Sequence, residues 1–140
     1  PRFVIQALDD EPLTVHGDGS ASRDWLYVDD DAEAIEALIE ADLDKVAGEV
    51  INLATGVDVS VSRIADLVLE VLGKPASLKD FVAERPGQVH RHVGSTEKAE
   101  RLLGWRPRTS LEDGLGRTVQ WYRENEAWWR ATQAASVSSS

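Results

Sequence analysis

The sequence predicts an α/β fold of helices with a few short strands, and three observations carry that expectation. Helically periodic runs alternate with short apolar or extended runs along the chain. The helical runs carry recognisable start and stop residues. The length, 140 residues, suits one domain with its own core.

Pro1 to Leu8 reads as a short helix. Proline fits a first helical turn, and Phe3, Val4, Ala7 and Leu8 recur at helical spacing. Asp9, Asp10 and Glu11 end it, and Pro12 prevents continuation. Leu13 to His16 is expected to be extended, Gly17 to Ser20 to turn, and Arg23 to Val28 to be extended and partly buried. Asp29, Asp30 and Asp31 then cap and favour the positive end of a helix whose apolar stripe is Ile35, Leu38 and Ile39. Val50 to Ala54 (VINLA) reads as a buried strand. Ser60 starts the most periodic helix, with Ile64, Leu67, Val68, Val71 and Leu72 on one face, and Gly73 and Pro75 stop it. Leu78 to Ala83 is a further short strand. Ser95 starts a helix that ends at Gly104. Ser110 and Asp113 form a capping-box pattern for a last helix running toward Trp129. The small, polar end from residue 131 onward is expected to be a disordered tail, leaving residues 1–130 as the folded domain.

Composition narrows the function classes. The formal net charge is −10, which argues against a nucleic-acid backbone or an anionic membrane as the main partner. There are no cysteines, so disulfides and thiolate metal sites are impossible. No apolar run approaches membrane-spanning length. The N-terminus lacks the layout of a signal peptide, and a cytoplasmic protein is expected.

GDGSAS (17–22) begins like a phosphate loop, but Ser22 stands where a dinucleotide fingerprint has its third glycine, and no helix follows directly. His90 and His92 alternate, so a strand would put them on one face. They read as surface histidines or as helpers in anion binding, and too few ligands accompany them for a metal. Trp121, Trp128 and Trp129 fit helical packing or a stacking platform. The arginines remain. Arg23 lies between a glycine-rich turn and an aromatic run; Arg85 lies in ERPGQVHRH, with Arg91 six residues on. Guanidinium groups converging on a cleft suit a pyrophosphate, which they bind bidentately.

GDGSASRDWLYVDDDAEAI, EVINLATG, SVSRIADLVLEVLG, ERPGQVHRHVGSTEKAERLLGW and TSLEDGLGRTVQWYREN occur in this order. In that order they resemble the C-terminal part of extended short-chain dehydrogenase/reductases acting on nucleoside-diphosphate sugars: dTDP-glucose 4,6-dehydratase, UDP-glucose 4-epimerase and UDP-glucuronate decarboxylase. The resemblance covers nearly everything from Pro1 to Trp129. It implies the substrate domain of an extended Rossmann-type enzyme, in a chain that is a piece of something longer. The family's N-terminal half binds NAD(P) and carries a catalytic Tyr-x-x-x-Lys; here Tyr27 is followed four residues on by Asp31, and Tyr122 by Glu126. The cofactor NAD is therefore expected on the other half of the parent enzyme and not on this chain, which alone should be inactive.

Substrate roles follow from the same resemblance. Arg23 in RDW and Arg85 in RPG resemble the two arginines that contact the substrate diphosphate. Asn52 resembles an asparagine near the nucleotide. Gln88 stands where the dTDP-glucose dehydratases tend to have histidine and Val89 where aspartate is common, which tells against dTDP-glucose and leaves the diphosphate reading intact. Asp24 and Trp25 are expected to fix the strand presenting Arg23. The implied partners are a nucleoside-diphosphate sugar and the Rossmann half or, lacking it, a second copy. VINLA resembles a strand of the Rossmann sheet, so its apolar face would be open here. A non-catalytic nucleotide-binding or protein-interaction module is the alternative.

Overall fold

The computed structural model describes residues 1–137. In chain order the elements are α1 (Arg2–Leu8), β1 (Leu13–His16), β2 (Ser22–Asp24), α2 (Val28–Glu40), α3 (Leu43–Val46) and β3 (Asp58–Ser60). They continue with α4 (Val61–Leu72), a 3-10 turn (Ala76–Leu78), β4 (Lys79–Val82), α5 (Glu97–Leu103), α6 (Leu111–Glu124) and α7 (Glu126–Val137). The chain is a mostly helical α/β fold with few short strands, as the periodicity implies.

Helix α4 is the pivot. Ser60 Oγ accepts from Arg63 N at its start, and Gly73, in the left-handed region at φ 66°, closes its end. Its buried face (Ala65, Val68, Leu69) meets Val4 and Ala7 of α1, Leu13 and Val15 of β1, and Val119 of α6 in one closed cluster. β1 pairs in parallel with β4, Leu13 opposite Lys79, and Ser110 Oγ caps α6 by accepting from Asp113 N. A second, smaller cluster joins Ala34 of α2, Ala99 of α5 and Trp105.

Several local expectations are corrected. The extended run from Arg23 stops at Asp24 and Val28 opens α2; β3 begins at Asp58, so the ladder has no partner residue beyond Asp24. Asp29 to Asp31 lie in the first turn of α2, but the N-cap is Tyr27, without a side-chain cap. Asp30 is buried, accepting from Arg108 N, Thr109 N and Thr109 Oγ1, and so ties α2 to the start of α6. Ile35, Leu38 and Ile39 are exposed, and Ala34 packs instead. VINLA forms no strand; among the described residues no strand lies beside it to complete a ladder. Thr96, not Ser95, is the N-cap of α5, while Ser95 Oγ accepts from Glu97 N at 3.4 Å. The last helix breaks at Asn125, whose Nδ2 donates to Trp121 O. Helix α7 then runs to Val137, through much of the stretch expected to be disordered. Residues 138–140 of that stretch lie outside the described residues. Trp129 is buried, while Trp121 and Trp128 meet edge-on at 5.5 Å on the surface. Among the described residues no helix is long and apolar enough to cross a membrane.

Candidate functional site

The glycine-rich turn is structural. Gly19 adopts φ 72°, and a Cβ built there would stand 2.8 Å from Ser62 Cβ and Val15 Cγ1, so only glycine fits. The turn folds over the start of α4: Gly19 O accepts from Ser62 N, Ala21 O from Val61 N, and Ser60 Oγ from Arg63 N. The first three N–H groups of α4, which would otherwise be free to hold a phosphate, are therefore all occupied. Asp18 Oδ1 closes the turn on Ser20 N at 2.8 Å. This geometry does not fit a dinucleotide.

Beyond the turn, β2 delivers Arg23 and Asp24 into an open cleft of about 490 Å³, lined by these two, by Ile51 to Ala54, and by His92 to Gly94. Three segments far apart in sequence form its walls. β2 pairs antiparallel with β3, Arg23 opposite Val59. On its other side Ser22 N donates to His90 O, and His92 N to Ser22 O. Trp25 Nε1 donates to Val59 O at 3.1 Å, fastening the outgoing chain. Gly94 lies flush against the 52–54 wall; a Cβ there would approach Ala54 Cβ to 2.6 Å.

The electrostatics sort the arginines. Arg23 donates through one guanidinium nitrogen to Ser22 O, at 2.6 Å, and forms no ion pair among the described residues. Its other donors have no partner among the described residues. Arg91 is engaged, in an ion pair with Asp58 at 2.8 Å. The hydrogen bond from Arg91, seconded by that from Ser22 Oγ, lowers the Asp58 carboxyl to about 2. Arg91 thus pins the 90–92 segment to the β2–β3 ladder.

Of the four residues singled out in the sequence, the structure brings Arg23 and Asn52 together in the cleft. Arg85 and Gln88 stand outside that lining, in a turn closed by Gln88 N donating to Arg85 O at 3.1 Å. Arg85 is exposed and, among the described residues, its guanidinium has no partner. His92 and Gly94 enter the cleft without a clear sequence signal. The alternation of His90 and His92 is visible, but their placement depends on pairing with Ser22, some seventy residues away. Among the described residues no group of three or more histidines and carboxylates could hold a metal ion.

A family model described as GDP-mannose 4,6 dehydratase matches residues 1–118. The dTDP-glucose 4,6-dehydratase of an Actinoplanes species is 37% identical over 129 residues, covering 92% of this chain and 39% of that protein. The crystal structure of dTDP-glucose 4,6-dehydratase from Streptomyces venezuelae, with NAD bound, superposes with a TM-score of 0.83 at 37% identity, covering 91% of this chain and 38% of that one. UDP-glucuronic acid 4-epimerase from Bacillus cereus, in complex with UDP-glucuronic acid and NAD, gives 0.81 at 33% identity, covering 88% and 38%. The chain therefore spans about two fifths of the length of these relatives.

Proposed function

The chain belongs to the GDP-mannose 4,6 dehydratase family, and from that premise we propose that it is the substrate-binding part of an NAD-dependent nucleoside-diphosphate-sugar epimerase or dehydratase, a lyase or isomerase. The observation that carries this reading is the cleft. Arg23 offers guanidinium donors with no carboxylate paired to them, beside the amide of Asn52, in an open polar space of a size suited to a small-molecule ligand. A planar guanidinium matches two oxygens of a diphosphate at once. Asn52 is assigned to the nucleotide side. Arg85 is the second diphosphate contact, with Gln88 beside it; the free guanidinium of Arg85 and the pairing of the 90–92 segment with β2 support that assignment.

NAD supplies the hydride chemistry in such enzymes. Among the described residues nothing fits it, since the glycine-rich turn at 17–20 is closed on α4. The cofactor accordingly belongs to the other half of the parent enzyme, and this chain alone turns over no substrate. That half also suits the exposed apolar side chains of α2 and the unpaired 50–54 run; without it a second copy would cover them. The setting of such chemistry is taken to be cytoplasmic. The same exposed face favours a second reading, a binding module that takes up nucleotide or a protein without turnover.

The test is a calorimetric titration of the chain with dTDP, UDP, GDP and CDP, repeated for Arg23→Ala and Arg85→Ala. One diphosphate should bind, and each substitution should weaken it by about 10- to 100-fold, the effect of a hydrogen bond to a charged group. Affinity unchanged in both variants would refute the assignment.

A further inference from the structure

We propose that Asp24 is a positioning residue that sets the width of the cleft and keeps Arg23 available to an anion. The inference deepens the substrate-binding reading above and rests on it for the ligand.

The carboxylate of Asp24 receives four donors. Thr55 N at 2.7 Å and Thr55 Oγ1 at 2.6 Å meet Oδ1, while Gly56 N at 2.9 Å and Gly94 N at 3.4 Å meet Oδ2. A carboxylate has about four acceptor positions, so this set is complete. The donors come from both of the other cleft walls: the end of the segment carrying Asn52, and the segment carrying His92. Asp24 itself sits on β2 next to Arg23. One side chain therefore joins all three walls, and the contact of Gly94 with Ala54 fixes how closely two of them approach.

The second consequence is electrostatic. An acid adjacent to Arg23 would ordinarily compete with a ligand for the guanidinium. Here its oxygens are directed at backbone N–H groups and a hydroxyl, and Arg23 rests on the Ser22 carbonyl instead. Asparagine cannot replace the aspartate. It keeps one acceptor oxygen and turns an NH₂ group toward N–H donors, so either Thr55 N or the pair Gly56 N and Gly94 N loses its acceptor.

The test compares the unaltered chain with Asp24→Asn and Thr55→Val, by amide hydrogen exchange and by titration with UDP and dTDP. Asp24→Asn should speed exchange at Thr55, or at Gly56 and Gly94, by about tenfold or more, with Val68 in α4 unchanged as the control for folding. It should also weaken the diphosphate by about tenfold. Thr55→Val removes the hydroxyl's bond to Asp24 together with its contacts to Val57, keeps the Thr55 N–H bond, and should give a smaller effect of the same kind at Gly56 and Gly94. Unchanged exchange at the three amides overturns the proposal. So does faster exchange with diphosphate affinity equal to that of the unaltered chain. If the unaltered chain binds neither nucleotide, the substrate-binding reading fails, and the exchange data alone decide whether Asp24 holds the walls.

Discussion

On the packed face of α4, apolar side chains are enclosed by neighbouring elements; around α2, residues of the same types face outward. Leu13, Val15, Val68 and Val119 are each under 2% exposed, whereas Ile39 is 79% and Val50 76% exposed. Composition does not separate the two regions. Partners do. α1, β1, α4 and α6 supply one another's apolar surfaces, while at α2 the small cluster of Ala99 and Trp105, with Leu26, Ile51, Leu53 and Leu103 against it, covers Ala34 and leaves Ile35, Leu38 and Ile39 exposed. The lesson is that a hydrophobic stripe states a requirement for burial and does not say what meets it.

The largest expected contrast follows directly. Leu13→Ala should cost about 2–5 kcal/mol of stability in chemical denaturation, the range for removing a packed leucine. Ile39→Ser should change the stability of this chain by no more than about 0.5 kcal/mol. Equal losses from the two would erase the distinction between the regions.

Two left-handed glycines sharpen it at smaller scale. Gly19 is crowded by Ser62 and Val15, whereas a Cβ at Gly73 meets nothing within 4 Å. Gly73→Ala should cost about 1 kcal/mol, the backbone penalty alone. Gly19→Ala adds overpacking and should cost about 3 kcal/mol, read as the difference between two denaturation midpoints. Similar costs at both sites would mean that the 17–20 turn yields more readily than its contacts imply.

The smallest effect concerns pH. Asp58 titrates near 2 in the folded chain, held there chiefly by the hydrogen bond from Arg91, against about 3.9 when unfolded. Between those values the unfolded chain binds more protons, so stability rises with pH across that window. The contribution is complete above about pH 4 and lost as pH falls through about 2. The melting temperature of Asp58→Asn relative to the unaltered chain should show a constant deficit above pH 4 that shrinks below it. A deficit independent of pH would assign the effect to lost packing.

What was legible in the sequence is what is local. Ser60, the spacing from Ile64 to Leu72, and Gly73 specify α4 within one short stretch, and Ser110 with Asp113 does the same for α6. VINLA and the stripe on α2 are apolar, but burial needs a second surface, which no local pattern contains: Ala54 is buried and Ile51 and Leu53 pack on the Trp105 cluster, while Val50 and Ile39 stay exposed. The cleft divides the same way. Arg23 and Asn52 were identifiable from their motifs, and the fold brings them together. His92, Gly94 and the joining role of Asp24 depend on contacts of Ser22 with His90 and His92 and of Asp24 with Thr55, Gly56 and Gly94, which span 31 to 70 residues. Arg85 was equally legible as a motif, yet its turn projects outside the cleft lining.

The most direct measurement is a two-dimensional amide NMR titration of the chain with UDP and with dTDP. Saturable shifts are expected at Arg23, at Asn52 to Ala54 and at His92 to Gly94, with the amides of α4 and α6 unmoved. Saturable shifts confined to other residues, or none with millimolar nucleotide, would contradict a diphosphate site built on Arg23.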